Sequence, residues 1–337
     1  MKTSKLTKGV CRFIVLAALA VFGHNELNAQ GIEKEQDLFP VVVDGKWGFI
    51  DRSGIYIIEP TFKDASGFSE GYAAVQVGNT WRYVNEMGKF SFGHCFDDAN
   101  DFHEGLALVY KGEKCGFVDK TGKCVIKPEY AAACDFSEGM AAVRTDDSKW
   151  GYIDKEGNVV IDMKFDRALG FHDGLAAVEV NKKIGFINKE GLFVIEPQFD
   201  GLLMDCDFSE GLAAVKVGEK YGYIDKTGSF VIEPQFAIAS EFHEGLAQVR
   251  IGRKSGFVDK EGKLVIDACY DRACDFHEGL AWVRVGEKWG VIDKTGRTVI
   301  EPQFDMAAYF EDGLALVRAE GRYKYIDRYG NEIWIEP

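Results

Sequence analysis

Proline is scarce in this chain, at 7 of 337 residues, and no linker-like composition interrupts it. Positive charge is also short. Lys and Arg number 40 against 54 Asp and Glu, a formal net charge of −14, which disfavours general binding to nucleic acid or anionic membranes. There is no Gly-x-Ser-x-Gly elbow, no Walker loop, and no Cys-x-x-Cys among the thiols beyond residue 29. Long apolar runs are missing too. The one near the start, Phe13 to Phe22, covers ten residues, and as helix that spans only about half of a bilayer core.

What precedes and follows that run gives it a meaning. Lys2, Lys5, Lys8 and Arg12 stand before it, and Leu27-Asn28-Ala29-Gln30 ends the polar stretch behind it, the order of a secretory signal. We expect residues 1–29 to be removed after Ala29, residues 30–37 to form a short linker, and the product to be exported, periplasmic or extracellular, and soluble. Lipoprotein processing needs a Cys just after the apolar run, whereas Cys11 lies before it. Cleavage leaves 36 basic against 53 acidic residues, so the charge deepens to −17. Seven Cys remain, an odd number that argues against a complete disulfide framework. Cys134, Cys206 and Cys274 each stand two residues before a Phe, about two repeat units apart, and read as small buried thiols.

The 38 Gly and 25 Phe are explained by repetition. Lys46-Trp47-Gly48-Phe49-Ile50-Asp51 recurs as Lys149 to Asp154, Lys220 to Asp225 and Lys288 to Asp293, with looser copies between. The Trp position falls at 47, 81, 115, 150, 184, 221, 255, 289 and 323, so one unit of about 34 residues is copied nine times. Each unit reads as three strands. Leu212 to Val217 alternates, a Gly-Glu-Lys turn leads to Tyr221 to Asp225, and Lys226-Thr227-Gly228 turns into Phe230 to Glu233, stopped by Pro234. Gly228 and its counterparts close a hairpin at positive φ, with the Asp three residues earlier bonding the turn amides. Gly71, Gly105, Gly139, Gly174, Gly211, Gly245, Gly279 and Gly313 all follow an acidic residue, which implies a special backbone conformation there. The Trp-Gly pair suits close approach of a neighbouring strand.

The expected fold is therefore all-β, one domain over 38–337 built of nine three-stranded β-meanders. Propeller blades usually carry four strands and about 40 residues or more. The array also begins on a first strand and ends on a third, leaving no split unit to lock a ring. An open solenoid or superhelix is favoured over a closed propeller-like ring.

The Lys-Trp-Gly-Phe-Ile-Asp core, the Asp-Lys-Thr-Gly turn, Glu301-Pro302-Gln303-Phe304-Asp305 and Phe208-Ser209-Glu210-Gly211-Leu212-Ala213 resemble the bacterial WG-repeat family across about 300 residues. Cys115, Ile184 and Ser255 depart from it where the Trp is missing. The resemblance implies an all-β repeat module and brings no catalytic residues.

His103, His172, His243 and His277 each precede an acidic residue and a Gly, which raises metal binding. The same position holds Ser69, Ser137, Ser209 and Glu311 elsewhere, and a metal needs at least three ligands at fixed distances, so turn chemistry is the better reading. The acidic residues Glu70, Glu104, Glu138, Asp173, Glu210, Glu244, Glu278 and Asp312 share one environment, unlike a catalytic pair of carboxylates. Turn stabilisation accounts for them.

Positions that vary point further. Arg250, Arg284 and Arg318 stand in register in the last three units beside Gln248 and Trp282, a stripe suited to an anionic or sugar-containing ligand or an acidic protein surface. The expectation is an exported, non-enzymatic protein without cofactor, offering an extended surface to a protein or an envelope glycan, with no nucleic acid partner and no membrane insertion after cleavage. A structural spacer is the alternative, and an enzyme acting on envelope glycans between repeats a more distant one.

Overall fold

The computed structural model describes residues 37–200 and 206–337, and every helix or strand assigned within them is a strand. The expected signal segment, its cleavage point and nearly all of the 30–37 linker lie outside the described residues. The strands form nine antiparallel sheets, seven of four strands and two of three. They are arranged as the blades of a closed β-propeller: 39–62, 64–96, 98–130, 132–165, 167–199, 208–236, 238–270, 272–304 and 306–335.

Blade three shows the plan. Its strands Asp98–His103, Leu106–Lys111, Lys114–Asp119 and Cys124–Tyr130 pair in chain order, and we name the four positions a to d from the axis outward. Strands b, c and d are the three read from the sequence. Strand a lies in what the sequence suggested was only a crossover. It spans six residues in blades three, five and seven, and two in blades two, four, eight and nine. A unit of about 34 residues holds four strands because strand d runs into the next strand a across one residue, as from Tyr130 to Ala132 and from Phe236 to Ile238.

Local chemistry sets each turn. Between a and b, Glu70 (φ 53) and Gly71 (φ 85) lie in the left-handed region, and Ser69 and Tyr72 exchange both backbone hydrogen bonds across them. That is a type I′ turn, whose twist matches the flanking strands. Between c and d, the Asp225 carboxylate accepts hydrogen bonds from the amides of Thr227 and Ser229 and from the Thr227 hydroxyl. The Thr227 hydroxyl foremost holds its pKa below the usual carboxylate value.

Strand d bulges over strand c. Trp47 pairs with Phe62 and Phe49 with Ile58, so four residues of d oppose two of c, and Gly48 lies under the excess. A Cβ there would stand 2.5 Å from the Ile58 carbonyl oxygen and 2.6 Å from the Pro60 nitrogen. The close approach expected for the Trp-Gly pair is therefore to its own blade's outer strand. Pro234 does not stop its strand, which runs Phe230–Phe236. Strand d is outermost, where a missing N–H leaves no ladder partner unsatisfied and guards the edge against foreign strands.

The expectation of an open array is overturned by the contact between the two ends. Phe39, Val41 and Ile50 of blade one share a buried cluster with Leu314, Tyr325 and Trp334 of blade nine. The Tyr325 hydroxyl donates to the Pro40 carbonyl oxygen at 2.9 Å, and the Trp334 indole N–H to the Tyr56 hydroxyl at 3.2 Å. Among the described residues no blade is divided between the termini. The seam closes by the face-to-face packing used between other blades, because an open stack would leave both apolar end faces in water, and neither end blade carries a polar cap.

Two kinds of interface follow one another round the ring. From blades two, four and six, Tyr83, Tyr152 and Tyr223 donate to the carbonyls of Asn100, Leu169 and Ser240 in the next blade. From blades one, three, five and seven, Phe49, Phe117, Phe186 and Phe257 stand at that position without a hydroxyl to donate. They meet Phe68, Phe136, Phe208 and Phe276 with ring centroids 4.8–4.9 Å apart, a ring contact that the tyrosines make too, with Phe102, Phe171 and Phe242 at 4.8–5.0 Å. Blade nine returns to Tyr with Tyr325. Blade eight has neither: Val291 stands at that position, and Trp282 stacks on Phe310 of blade nine at 5.5 Å with the rings 5° from parallel.

Candidate functional site

The repeated acidic residues bond across blades. Glu70 accepts from the Gly105 amide at 3.0 Å and Glu104 from the Gly139 amide at 2.9 Å, and the relation continues from Glu244 to Gly279 at 2.9 Å. Six of them, Glu70, Glu104, Glu138, Asp173, Glu210 and Glu244, also meet a Lys from the c–d turn of the following blade, as in Lys155–Glu104 at 3.1 Å and Lys294–Glu244 at 2.9 Å. Asp312 of blade nine meets Arg52 of blade one at 3.5 Å, so the same link crosses the closing seam. This face is neutralised by its own groups. Exposed pairs of this kind each contribute about 0–1 kcal/mol, and their value lies in repetition.

The axis is different, and the sequence reading did not anticipate it. The residue before the recurrent Phe is Asp101, Asp135, Asp207, Glu241 or Asp275 in five blades. These carboxyls face inward with the histidines that follow: His103 lies 3.9 Å from Asp135, His172 3.8 Å from Asp207, and His243 3.8 Å from Glu241. Burial pushes the carboxyl pKa values of Asp135, Asp207 and Asp275 up, and burial pushes those of His172 and His277 down. Glu311 of blade nine is pushed up to about 7, by its enclosure first and then by Asp312, Asp101, Glu278 and Asp37. The groups that act on it come from blades three, eight and nine and from Asp37 just before blade one. Glu311 itself is exposed. Among the described residues no three His, Cys, Asp or Glu side chains are grouped to hold a metal ion.

A pH-dependent effect follows. Glu311 in the folded ring holds its proton more tightly than in the unfolded chain, where Glu titrates near 4.3. Its contribution to stability is therefore fully present below about 4 and is lost as pH rises to about 7. Glu311→Gln removes that loss. The variant is expected to melt above the parent at pH 8, with the difference shrinking at pH 5, in paired calorimetric scans. An equal difference at both pH values would show that the carboxyl is not shifted.

The variable residues singled out in the sequence separate into two groups. Gln248 and Trp282 are buried, at 8% and 2% exposure. Gln248 accepts from the Ser240 hydroxyl and donates to the Ser255 hydroxyl, filling the space left where Trp is missing. Neither is presented to a ligand. Arg250 and Arg284 are half-buried and Arg318 exposed, all at the b–c turn end of blades seven, eight and nine, opposite Ser255, Trp289 and Tyr323 of strand c. The Nε atoms of Arg250 and Arg284 are buried without an acceptor. Cys206 is buried and Cys134 and Cys274 half-buried, none of the three in a disulfide, and burial pushes the Cys134 and Cys274 pKa values up to about 12.

Among solved structures, that of the eukaryotic initiation factor is similar at 12% identity, with 89% of this chain and 96% of that chain covered and a TM-score of 0.63. The computationally designed Ika8 protein is similar at 11% identity, with 77% and 94% covered and a TM-score of 0.50. BamB from Moraxella catarrhalis aligns at 13% identity over 89% and 94%, with a TM-score of 0.47. At identities this low the first two show a shared fold alone. No curated protein matches the chain. The sequence pattern of the WG containing repeat matches at 47–81, 81–115, 116–148, 150–183, 184–221, 221–254, 256–289 and 289–323, each match beginning at or next to a strand c residue that opens the Trp-Gly motif. On those eight matches the chain belongs to the WG-repeat family.

Proposed function

We propose that this protein is an exported, non-enzymatic interaction scaffold, a ring that offers its surface to a protein or an envelope glycan. One contrast carries the reading. Polar groups that recur from blade to blade are engaged within the fold, as Glu104 is with Gly139 and Lys155. Arg250, Arg284 and Arg318 vary in type between blades and stand outside those links. Residues committed to the fold leave recognition to the ones that vary, as in other repeat proteins. Among the described residues no helix is long and apolar enough to cross a membrane.

Two measurements test this. Fractionation of producing cells with N-terminal sequencing of the product is expected to find a chain beginning at Gln30 outside the cytoplasm; an uncleaved cytoplasmic chain would end the export reading. Photo-crosslinking in intact envelopes is expected to give a specific adduct that excess unlabelled chain competes away. Saturable turnover of isolated envelope glycan by the purified chain would make it an enzyme instead.

A further inference from the structure

One sector of the ring carries a charge opposite to that of the whole. At the b–c turn end of blades seven to nine, Arg253, Arg272, Arg318 and Arg322 are exposed and Arg250 and Arg284 half-buried beside them. Pairing fixes their common height: Arg272 lies opposite Arg284, Arg250 opposite Ile238, and Arg318 opposite Met306. Of the nearby carboxylates two are already engaged, while Glu287 and Glu320 in the turns themselves are exposed and leave the arginines and lysines of this end in excess. Asp271 is held by Lys254 at 2.6 Å and by the Gly286 amide at 2.7 Å, and Asp305 by Lys288. The six guanidinium groups form no ion pair with a described residue, and the buried Nε atoms of Arg250 and Arg284 have no acceptor. In a chain of net charge −14, so many unmatched guanidiniums on one sector indicate that the matching anions come from outside.

The shape and the neighbours of these groups narrow the ligand. They are spread one blade apart rather than gathered round a point, which suits successive anions along an extended chain better than a single phosphate. Two aliphatic side chains stand among them, Ile251 at 46% and Val285 at 51% exposure, each directly following an Arg of the row. A sulfated glycan offers only the narrow C–H faces of its rings to cover these, whereas a peptide offers whole aliphatic side chains. Resting on the scaffold reading above, we infer that this sector docks an acidic segment of a partner protein in which carboxylates alternate with aliphatic side chains.

The test uses the whole exported chain and a fluorescent peptide of repeated Glu-Glu-Leu, with Gln-Gln-Leu and a heparin fragment as comparisons. Anisotropy is expected to report binding of the Glu peptide that weakens steeply with salt, and no binding of the Gln peptide. The triple variant Arg253→Glu, Arg272→Glu, Arg322→Glu alters exposed side chains and is expected to weaken binding about tenfold or more, while Lys89→Glu on blade two leaves it unchanged. No binding of the Glu peptide, equal loss with Lys89→Glu, tighter binding of heparin, or self-association of the chain through this sector would each overturn the inference. An envelope adduct that survives the triple variant would remove this sector while leaving the scaffold reading in place; loss of all adducts in the parent chain would remove the scaffold reading itself.

Discussion

Gly222→Ala is expected to destabilise the ring by about 3 kcal/mol through a single methyl group. That Cβ would stand 2.5 Å from the Ile232 carbonyl oxygen and 2.7 Å from the Pro234 nitrogen, and both are backbone atoms with no rotamer to yield. Strand d would have to lift, and with it Ile232 and Phe236, which are buried in the core shared by blades six and seven. Gly218→Asn is the control: its φ is +60 with open space around it, and Asn181 already occupies the equivalent turn position at φ 51. It should change stability by no more than about 0.5 kcal/mol. Denaturant midpoints of both variants at matched slope measure the contrast. If Gly222→Ala unfolds with the parent, close approach is not what requires glycine. The two copies lacking this Gly agree with the argument. Lys324 in blade nine pairs directly with Ile335 with no shift beside it, and opposite Arg82 the outer segment of blade two is reduced to isolated bridges at Trp81–Phe96 and Val84–Phe90.

Removal of blade nine by ending the chain at Phe304 is expected to have the second large effect. In an open array, loss of a terminal unit removes one nearest-neighbour interface and shortens the stack. In the ring it strips two faces at once. Trp282 and Phe304 lose Phe310, and Phe39, Val41 and Ile50 lose Leu314, Tyr325 and Trp334. Such surfaces in water mark association sites. The truncated chain should therefore elute as oligomers or aggregates and lose its single sharp melt. A monomer melting within about 2 °C of the parent would show that the seam contributes nothing.

The repeat, its register and its hairpins were legible because each rests on residues a turn or bulge requires: Gly228 at positive φ, Asp225 on the turn amides, Gly222 under strand d. Strand a was hidden for the opposite reason. It is as short as Ala132–Ala133, and its outward partner is already read as a strand of another hairpin. The ring was missed because closure was sought in a shared blade. A better signal was present in Phe39 and Val41 at one end and Trp334 at the other, apolar residues where an open stack needs polar caps. The axial carboxyls escaped notice because Asp101, Asp135, Asp207, Glu241 and Asp275 occupy a position that elsewhere holds Gly67, Gly170 or Tyr309. Gln248 and Trp282 show the converse limit, since a residue that varies between copies can be filling a local gap in packing.

The alternation of Tyr and Phe interfaces has an arithmetical consequence. Two kinds of joint taken in strict turn can close a circle only when the number of members is even, and this circle has nine. One blade must therefore break the rule, and the sequence names it: Val291 and the Trp282–Phe310 stack stand where neither kind of joint fits. Without blade eight, Phe257 of blade seven would be followed by Tyr325 of blade nine and the order would run unbroken through eight. The true building block is thus a pair of blades, and the odd blade is an irregularity of parity absorbed by one large indole.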